Sequence, residues 1–294
     1  KDIKVIQVAD IEADSLLKAI SNEDIPTGKY SIKVNGETYS VHVITYDGNQ
    51  HFTENKTYGD ANDVATKDTY AQNMVIVKVN GDLEIDEGVT VGPYYDETYG
   101  GPKGFTLYVT GKLTNKGTID NSHGAKAEGQ NVYLWKNTDG SYEYVPAEGG
   151  AGGKKVSAYS SGISGTKGEN RQTGGGGSGA TYGYKSGAGS AGTSYSGGTG
   201  GGSGYGENAK DGEPNGGSGG ASSVGNANGG GTGNPGGVAS GAHSGTNGTG
   251  GLLTIYANEY ENKGKISAEG TMSSMAGYTG GSSGGGSINI FTNQ

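Results

Sequence analysis

Apolar and polar residues alternate along most of the first half of the chain. Tyr30-Ser-Ile-Lys-Val34, Glu37–Tyr46 and Gln50–Phe52 are separated by Asn35-Gly36 and Asp47-Gly48. A period of two broken by Asn-Gly or Asp-Gly predicts a β-meander, because both dipeptides tolerate the positive φ of tight hairpins. Ahead of it, Asp2–Val8 reads as a short strand and Ser15–Ile20 as a brief helix opened by Asp14, so residues 1–60 read as a small α+β unit. The polar stretch 53–73 reads as a connecting loop. Strand patterns then resume in Val75–Val79, Gly81–Ile85 and Val89–Val91. Gly81-Asp-Leu83 with Gly88-Val89 echoes Gly111-Lys-Leu113 with Gly117-Thr-Ile119. Short strands with recurring turn glycines suggest tiers of a β-solenoid, a sandwich of similar hairpins being the alternative. Asn131–Lys136 and Ser141–Val145, around Asp139-Gly140, predict one further hairpin, and Ser287–Phe291 a last strand.

A longer repeat overlies this pattern. Gly104–Ile119 and Gly251–Ile266 are two copies of one β motif, both carrying Asn-Lys-Gly followed one residue later by isoleucine (Ile119, Ile266). Between them lies a stretch, 148–250, in which 39 of 103 residues are glycine. From Gly162 to Gly204 glycine occupies 11 of the 15 positions spaced by three, and only 7 positions of the other two phases. Three is the period of a polyproline-II-type helix, and glycine at every third position lets such helices pack side by side with their backbones bonded to one another. Collagen does not fit, because the chain has 6 prolines and the phase breaks at Arg171, Ala180, Ser186 and Tyr195. A Gly/Ser linker explains the composition but neither the phase nor the tyrosines set along it. The expectation is a mainly β protein: the α+β docking unit over 1–60, a β-solenoid-like scaffold over 61–147, an inserted polyglycine-II bundle over 148–250, and a C-terminal β motif over 251–294 that completes the scaffold.

Charge and composition narrow the function. The net charge is −9, and all of it lies in the first 147 residues, which hold 22 acidic and 13 basic side chains. Without a basic tract there is no electrostatic footprint for nucleic acid. No run of about 20 apolar residues is present to span a membrane. The absence of cysteine excludes disulfides and thiolate metal sites.

Catalytic signals are sparse. His42, His51, His123 and His243 show no metal-ligand spacing, and Gly216-Gly-Ser218-Gly-Gly220 matches a nucleophile-elbow pattern only as a consequence of glycine content. Asp82, Glu84 and Asp86 alternate and so share one face of a strand. A solvated outer face is the simplest reading, with calcium at Asp86, Glu87 or Asp96 and a glycosidase pair as alternatives. No catalytic, cofactor or metal residue is therefore assigned. Tyrosine stands out instead, with 20 against 3 phenylalanines. Its apolar face and polar tip suit sugar stacking and adaptable contact surfaces. Tyr94, Tyr95 and Tyr99 in a Gly/Pro loop, and Tyr182, Tyr184, Tyr195 and Tyr205 along the glycine region, are the candidate receptor contacts.

Gly111–Ile119, Gly124–Trp135 and Gly174–Gly179 with the Gly/Ser/Tyr tract that follows resemble proteins of phages and prophages of Clostridia-like bacteria, over residues 75–294. The glycine tract is also similar in kind to the polyglycine-II adhesin tips of long tail fibres, although no chaperone-like or fibre-docking motif accompanies it. The resemblance implies a non-enzymatic tail-fibre or surface protein on the virion. Its partners would be a bacterial surface polysaccharide or protein, other virion proteins, and copies of itself, a trimer by analogy. A secreted bacterial adhesin or filament subunit is the alternative, and a β-helical polysaccharide-degrading enzyme the third reading.

Overall fold

A computed structural model describes residues 4–5, 25–34, 37–63, 73–95, 101–102, 104–122, 132–136, 142–146, 148–149, 172–173, 251–269 and 286–293. No described residue is helical, and the fold is mainly β. The helix expected over 15–20 lies outside the described residues, as does the polyglycine-II bundle apart from two short strands.

The strands fall into tiers. β1 (Lys4–Val5) and β2 (Gly28–Val34) come first. Tier one is β3 (Glu37–Asp47), β4 (Gln50–Phe52) and β5 (Lys56–Tyr58). Tier two is β6 (Asn73–Asn80), β7 (Leu83–Ile85) and β8 (Thr90–Pro93). Tier three is β9 (Gly104–Asn115) and β10 (Thr118–Asp120). β11 (Val132–Lys136) and β12 (Tyr142–Pro146) then form the expected antiparallel hairpin, and β13 (Glu148–Gly149) pairs with β14 (Gln172–Thr173). Tier four is β15 (Leu252–Asn262) and β16 (Lys265–Ser267), after which comes β17 (Ser287–Thr292).

From tier to tier the strands pair in parallel. β3, β6, β9, β15 and β17 follow one another across one sheet, with β4 and β7 set against the C-terminal part of β9. β5, β8, β10 and β16 make a second sheet. Both sheets are open, so they do not form a closed solenoid; what recurs is the parallel tier. Residues 37–58, expected in a separate N-terminal unit, supply the first tier of both sheets.

Two local expectations are corrected. β2 and β3 do form a hairpin, with Val34 opposite Glu37. Asp47-Gly48, however, does not fold β4 back onto β3. Gly48 (φ 76°) makes a corner there, its N–H held by Asn80 O at 3.0 Å, and β4 runs on to pair in parallel with β7. The stretch 53–73 is not all loop, since it contains β5 and the first residue of β6.

Alternation explains the core. Val75, Val77 and Val79 of β6 stand opposite Phe105, Leu107 and Val109 of β9, and these opposite Leu253, Ile255 and Ala257 of β15. All nine belong to one buried cluster with Phe52, Tyr58, Leu83, Ile85, Val89, Val91, Leu113 and Ile119, which joins the two sheets. The other face of the long sheet is buried too, at Val41, Val43, Met74, Ile76, Leu252 and Thr254. Burial on both faces is why Met74–Val79 reads as a nearly continuous apolar run.

Candidate functional site

Each tier turns through two tight corners and one wide one. At the first corner Gly48 N–H bonds Asn80 O and Gly111 N–H bonds Gly81 O, at 3.0 and 2.9 Å. At the second, Thr118 N–H bonds Val89 O and Lys265 N–H bonds Gly117 O, both at 2.8 Å. The third corner carries all the long segments: 59–72, 94–103, 121–251 and 268–286 connect the end of one tier to the start of the next strand of the long sheet.

All seven candidate tyrosines sit on two of these segments. Tyr94 is half-buried and donates its N–H to Tyr58 O at 2.6 Å. Tyr95 lines a polar pocket of about 150 Å³ with Lys56, Thr90, Asp120, Asn121 and Ser122. Tyr99, Tyr182, Tyr184, Tyr195 and Tyr205 lie outside the described residues.

The wall of that pocket is also the base of the longest segment. Gly251 N–H bonds Asn121 O at 2.8 Å, Asn121 Nδ2 donates to Leu252 O at 2.8 Å, and Asn121 N–H bonds Ser267 O at 2.8 Å. Ser122 Oγ meets Ser267 Oγ at 2.8 Å, contacts Asp120 Oδ1, and accepts the Glu269 N–H at 3.0 Å. Asn121 is 1% exposed, and its Oδ1 has no hydrogen-bond partner. The chain therefore leaves and re-enters through one hydrogen-bonded clamp, and the tiers continue across it in register: Ile119 stands beside Ile266.

A second surface runs over the outer face of β4, β7 and β9. Asp82, Glu84 and Asp86 point outward while Leu83 and Ile85 are buried, as the alternation requires. Each acid is engaged by a neighbouring tier. Asp82 Oδ1 accepts the Lys112 N–H at 2.8 Å, Glu84 contacts Lys116 Nζ, and Asp86 Oδ1 meets His51 Nε2 at 2.8 Å. The Lys116 hydrogen bond holds Glu84 below the usual carboxylate range, and Asp86 holds His51 above the usual imidazole value. Lys112 and Lys263 grip Glu261 at 2.7 and 2.6 Å and bring its pKa down to about 2. His51, Glu84 and Asp86 place ligand atoms within 4.8 Å of one another, a spacing a divalent cation could bridge. Their charges are already matched by Lys116 and by the His51–Asp86 pair. Of the three residues weighed as an alternative calcium set, Asp86 is thus engaged, Glu87 is exposed and Asp96 is outside the described residues. A glycosidase acid needs a raised pKa, whereas Glu84 is shifted the other way.

Two features escaped the sequence reading. Tyr108, Tyr256 and Phe291 stand opposite one another on β9, β15 and β17, with ring centroids 5.5 and 4.8 Å apart, and border an open groove of about 570 Å³ with Thr110, Asn258 and Asn293. At the opposite end of the stack, Asp63 is buried and bonds His42 Nδ1 at 2.7 Å, the Asp60 N–H at 2.8 Å and Lys29 Nζ at 3.2 Å. Burial alone would raise Asp63, but these partners outweigh it and keep the carboxyl below its ordinary value. A folded-state pKa depressed in this way stabilises above the unfolded value and is lost as pH falls through the folded one. Asp63→Asn is expected to cost about 2 kcal/mol at neutral pH, the worth of hydrogen bonds to a charged acceptor. Chemical denaturation between pH 7 and 3 should show the gap between variant and wild type narrowing on acidification. A constant gap would remove Asp63 from that pH dependence.

No known protein family, curated protein or solved structure matches this chain.

Proposed function

We propose that this chain is a non-enzymatic attachment protein in which the parallel tiers act as rungs of a solenoid-like scaffold and the wide corner presents the contact surface. The observation that carries the reading is the clamp at Asn121 and Gly251. A segment reaching from Asn121 to Gly251 leaves and returns at adjacent strands without disturbing the register of Ile119 on Ile266. A spacer joining two halves would not require its ends to be bonded together, whereas a presented module does. Binding residues concentrate on segments held by a rigid scaffold, and all seven candidate tyrosines belong to segments entering and leaving at that one corner. The ligand class is a bacterial surface polysaccharide or protein, and the setting a virion tail or surface fibre of a phage of Clostridia-like hosts. A bacterial surface adhesin uses the same scaffold, and the chemistry at the corner does not separate the two. No helix among the described residues is long and apolar enough to cross a membrane.

Replacing 123–250 by a short Gly-Ser bridge tests the reading. The shortened protein is expected to keep its β circular dichroism and cooperative unfolding, because the clamp already holds the two ends together. It should lose binding to whole cells of Clostridia-type bacteria that the full chain retains, and Tyr95→Ala should weaken that binding. A shortened chain that fails to fold would place 123–250 within the scaffold. Undiminished cell binding would move the contact surface elsewhere.

A further inference from the structure

We propose that β17 is the docking strand for a second copy of this chain, paired antiparallel across a twofold axis. Among the described residues β17 ends its sheet, with β15 on one edge and no strand on the other. Ile288 continues the column of Phe105 and Leu253, and Ile290 that of Leu107 and Ile255. The four inner residues are 0% exposed, but Ile288 is 42% exposed and Ile290 39%. Each tier covers the apolar column of the one before, and the last is left uncovered.

Stacked repeats need a polar cap at such an end, and toward the opposite end the column of Phe105 and Leu253 meets one, while that of Leu107 and Ile255 runs on to the partly buried Ile44. The cap is His42, which stands opposite Val75 and is bonded to the buried Asp63. Edge strands are ordinarily blunted by lysine, proline or a bulge. Ser287-Ile-Asn-Ile-Phe-Thr292 has none of these, carries no charge, and pairs with β15 without a register shift.

An occupant of this edge must bring a strand's backbone groups, apolar side chains at alternate positions, and no charge. A second β17 meets all three conditions. A twofold axis normal to the sheet keeps the interior side chains of both copies on one face. The register that overlaps all of Ile288–Thr292 places Ile290 against Ile290 of the second copy and Ile288 against its Thr292. The column of Leu107, Ile255 and Ile290 then runs unbroken from one copy into the next, and Ile288 is covered by the Thr292 methyl. The chain's charge of −9 opposes association, but with β17 neutral this acts at a distance and is screened by salt. An isologous contact closes at two copies, so the assembly is a dimer and not the trimer expected by analogy. The inference rests on β17 and is independent of the attachment reading.

Sedimentation equilibrium of the full chain over rising concentration, in physiological salt, should reach twice the chain mass of 29.5 kDa. Ile290→Lys sets two ammonium groups against each other on the axis. It should hold the protein at the monomer mass with the melting curve of dilute, monomeric wild type, since the position is exposed in the single chain. The chain has no cysteine, so Ile290→Cys is a clean second reporter. Opposed Cα atoms at about 5.5 Å lie within disulfide reach, and mild oxidation should give a covalent dimer. The proposal is overturned by a wild-type chain that stays monomeric, by a dimer that survives Ile290→Lys, or by an oligomer in which Ile290→Cys does not cross-link. The last outcome would point to head-to-tail stacking.

Discussion

Gly264→Ala should destabilise the protein by about 3 kcal/mol, the upper part of the usual overpacking range, read as a lowered denaturant midpoint at unchanged slope. A Cβ on residue 264 would lie 2.0 Å from Gly117 O, 2.7 Å from Lys116 C and 2.8 Å from Gly117 N. All three are backbone atoms of the neighbouring tier, so no side chain can swing aside to make room. The φ of Gly264 is not in the left-handed region, and alanine would otherwise stabilise by about 0.4–1 kcal/mol through a less flexible unfolded chain. The clash must exceed that gain to show. Gly48 supplies the control: its φ is 76°, but open space surrounds it, so Gly48→Ala should cost only the left-handed penalty of about 1–2 kcal/mol. Equal losses at the two sites would refute a packing role for Gly264.

The same contact explains the repeated Asn-Lys-Gly. Gly117 is pressed against tier two as Gly264 is against tier three, since a Cβ there would meet Val89 O at 2.3 Å and Asp86 O at 2.5 Å. Asn115 is fully buried and donates from Nδ2 to Asn262 Oδ1 at 2.8 Å and to Lys265 O at 3.2 Å. The lysines between them point outward to glutamates, Lys116 to Glu84 and Lys263 to Glu261. The motif is thus a corner: an asparagine that bonds the tiers, a lysine for the surface, and a glycine for close approach.

Alternation made most strands and the Asn-Lys-Gly corner legible, but it could not say which strand pairs with which. A corner and a hairpin both need a turn residue, so Asp47-Gly48 fitted either, and contacts 30 or more residues away chose the corner. The copies hide a similar ambiguity. Aligned without a gap, Gly104 falls on Gly251, as Ile119 does on Ile266. The register instead puts Leu252 beside Gly104 and shifts between Ala257 and Glu259, where Thr110 and Gly111 share the place of Asn258. The signal was present: one gap aligns Thr106 with Thr254 and Tyr108 with Tyr256. Side-chain period reverses with a single-residue slip, so an ungapped match at the ends conceals which residues face the core between them. Lys78 shows another limit, being fully buried where alternation alone predicts an outward lysine.

The candidate surfaces divide in the same way. The shared face of Asp82, Glu84 and Asp86 followed from strand geometry alone. Their partners did not, because His51, Lys112 and Lys116 reach them from other tiers. Tyr108, Tyr256 and Phe291 carry no signal of their own in the sequence, because an aromatic inside a strand reads as core. Their stacking depends on register, which the ungapped copies misplace by one. The loop tyrosines were conspicuous by composition, yet only Tyr94 and Tyr95 among them lie in described residues.

Phe105→Ala should cost about 3–5 kcal/mol, the range for removing a buried aromatic, and Ile290→Ala less than about 0.5 kcal/mol, as for surface changes. Phe105 is fully buried in the cluster between the two sheets, and its ring stacks on Tyr58 with centroids 6.3 Å apart and planes 20° apart. Val75 stands beside it in the tier before and Leu253 in the tier after. Tyr58 also meets Tyr46 edge-on at 6.3 Å, and Tyr46 meets Phe52 at 5.7 Å, so removing Phe105 ends an aromatic chain that crosses from β9 to β5, β3 and β4. Parallel in-register backbones on either side limit collapse into the void, which places the cost toward the high end of the range. Ile290 lies at the open end of the neighbouring column, and truncating it leaves no enclosed cavity. The comparison must be made on dilute, monomeric protein, because dimerisation through β17 would bury Ile290 and raise its cost with concentration. A steep gradient from Phe105 to Ile290 in dilute solution would show that the tiers are held by the columns between them. Comparable losses at both sites would mean that the end of the stack is closed in solution by something other than a second chain.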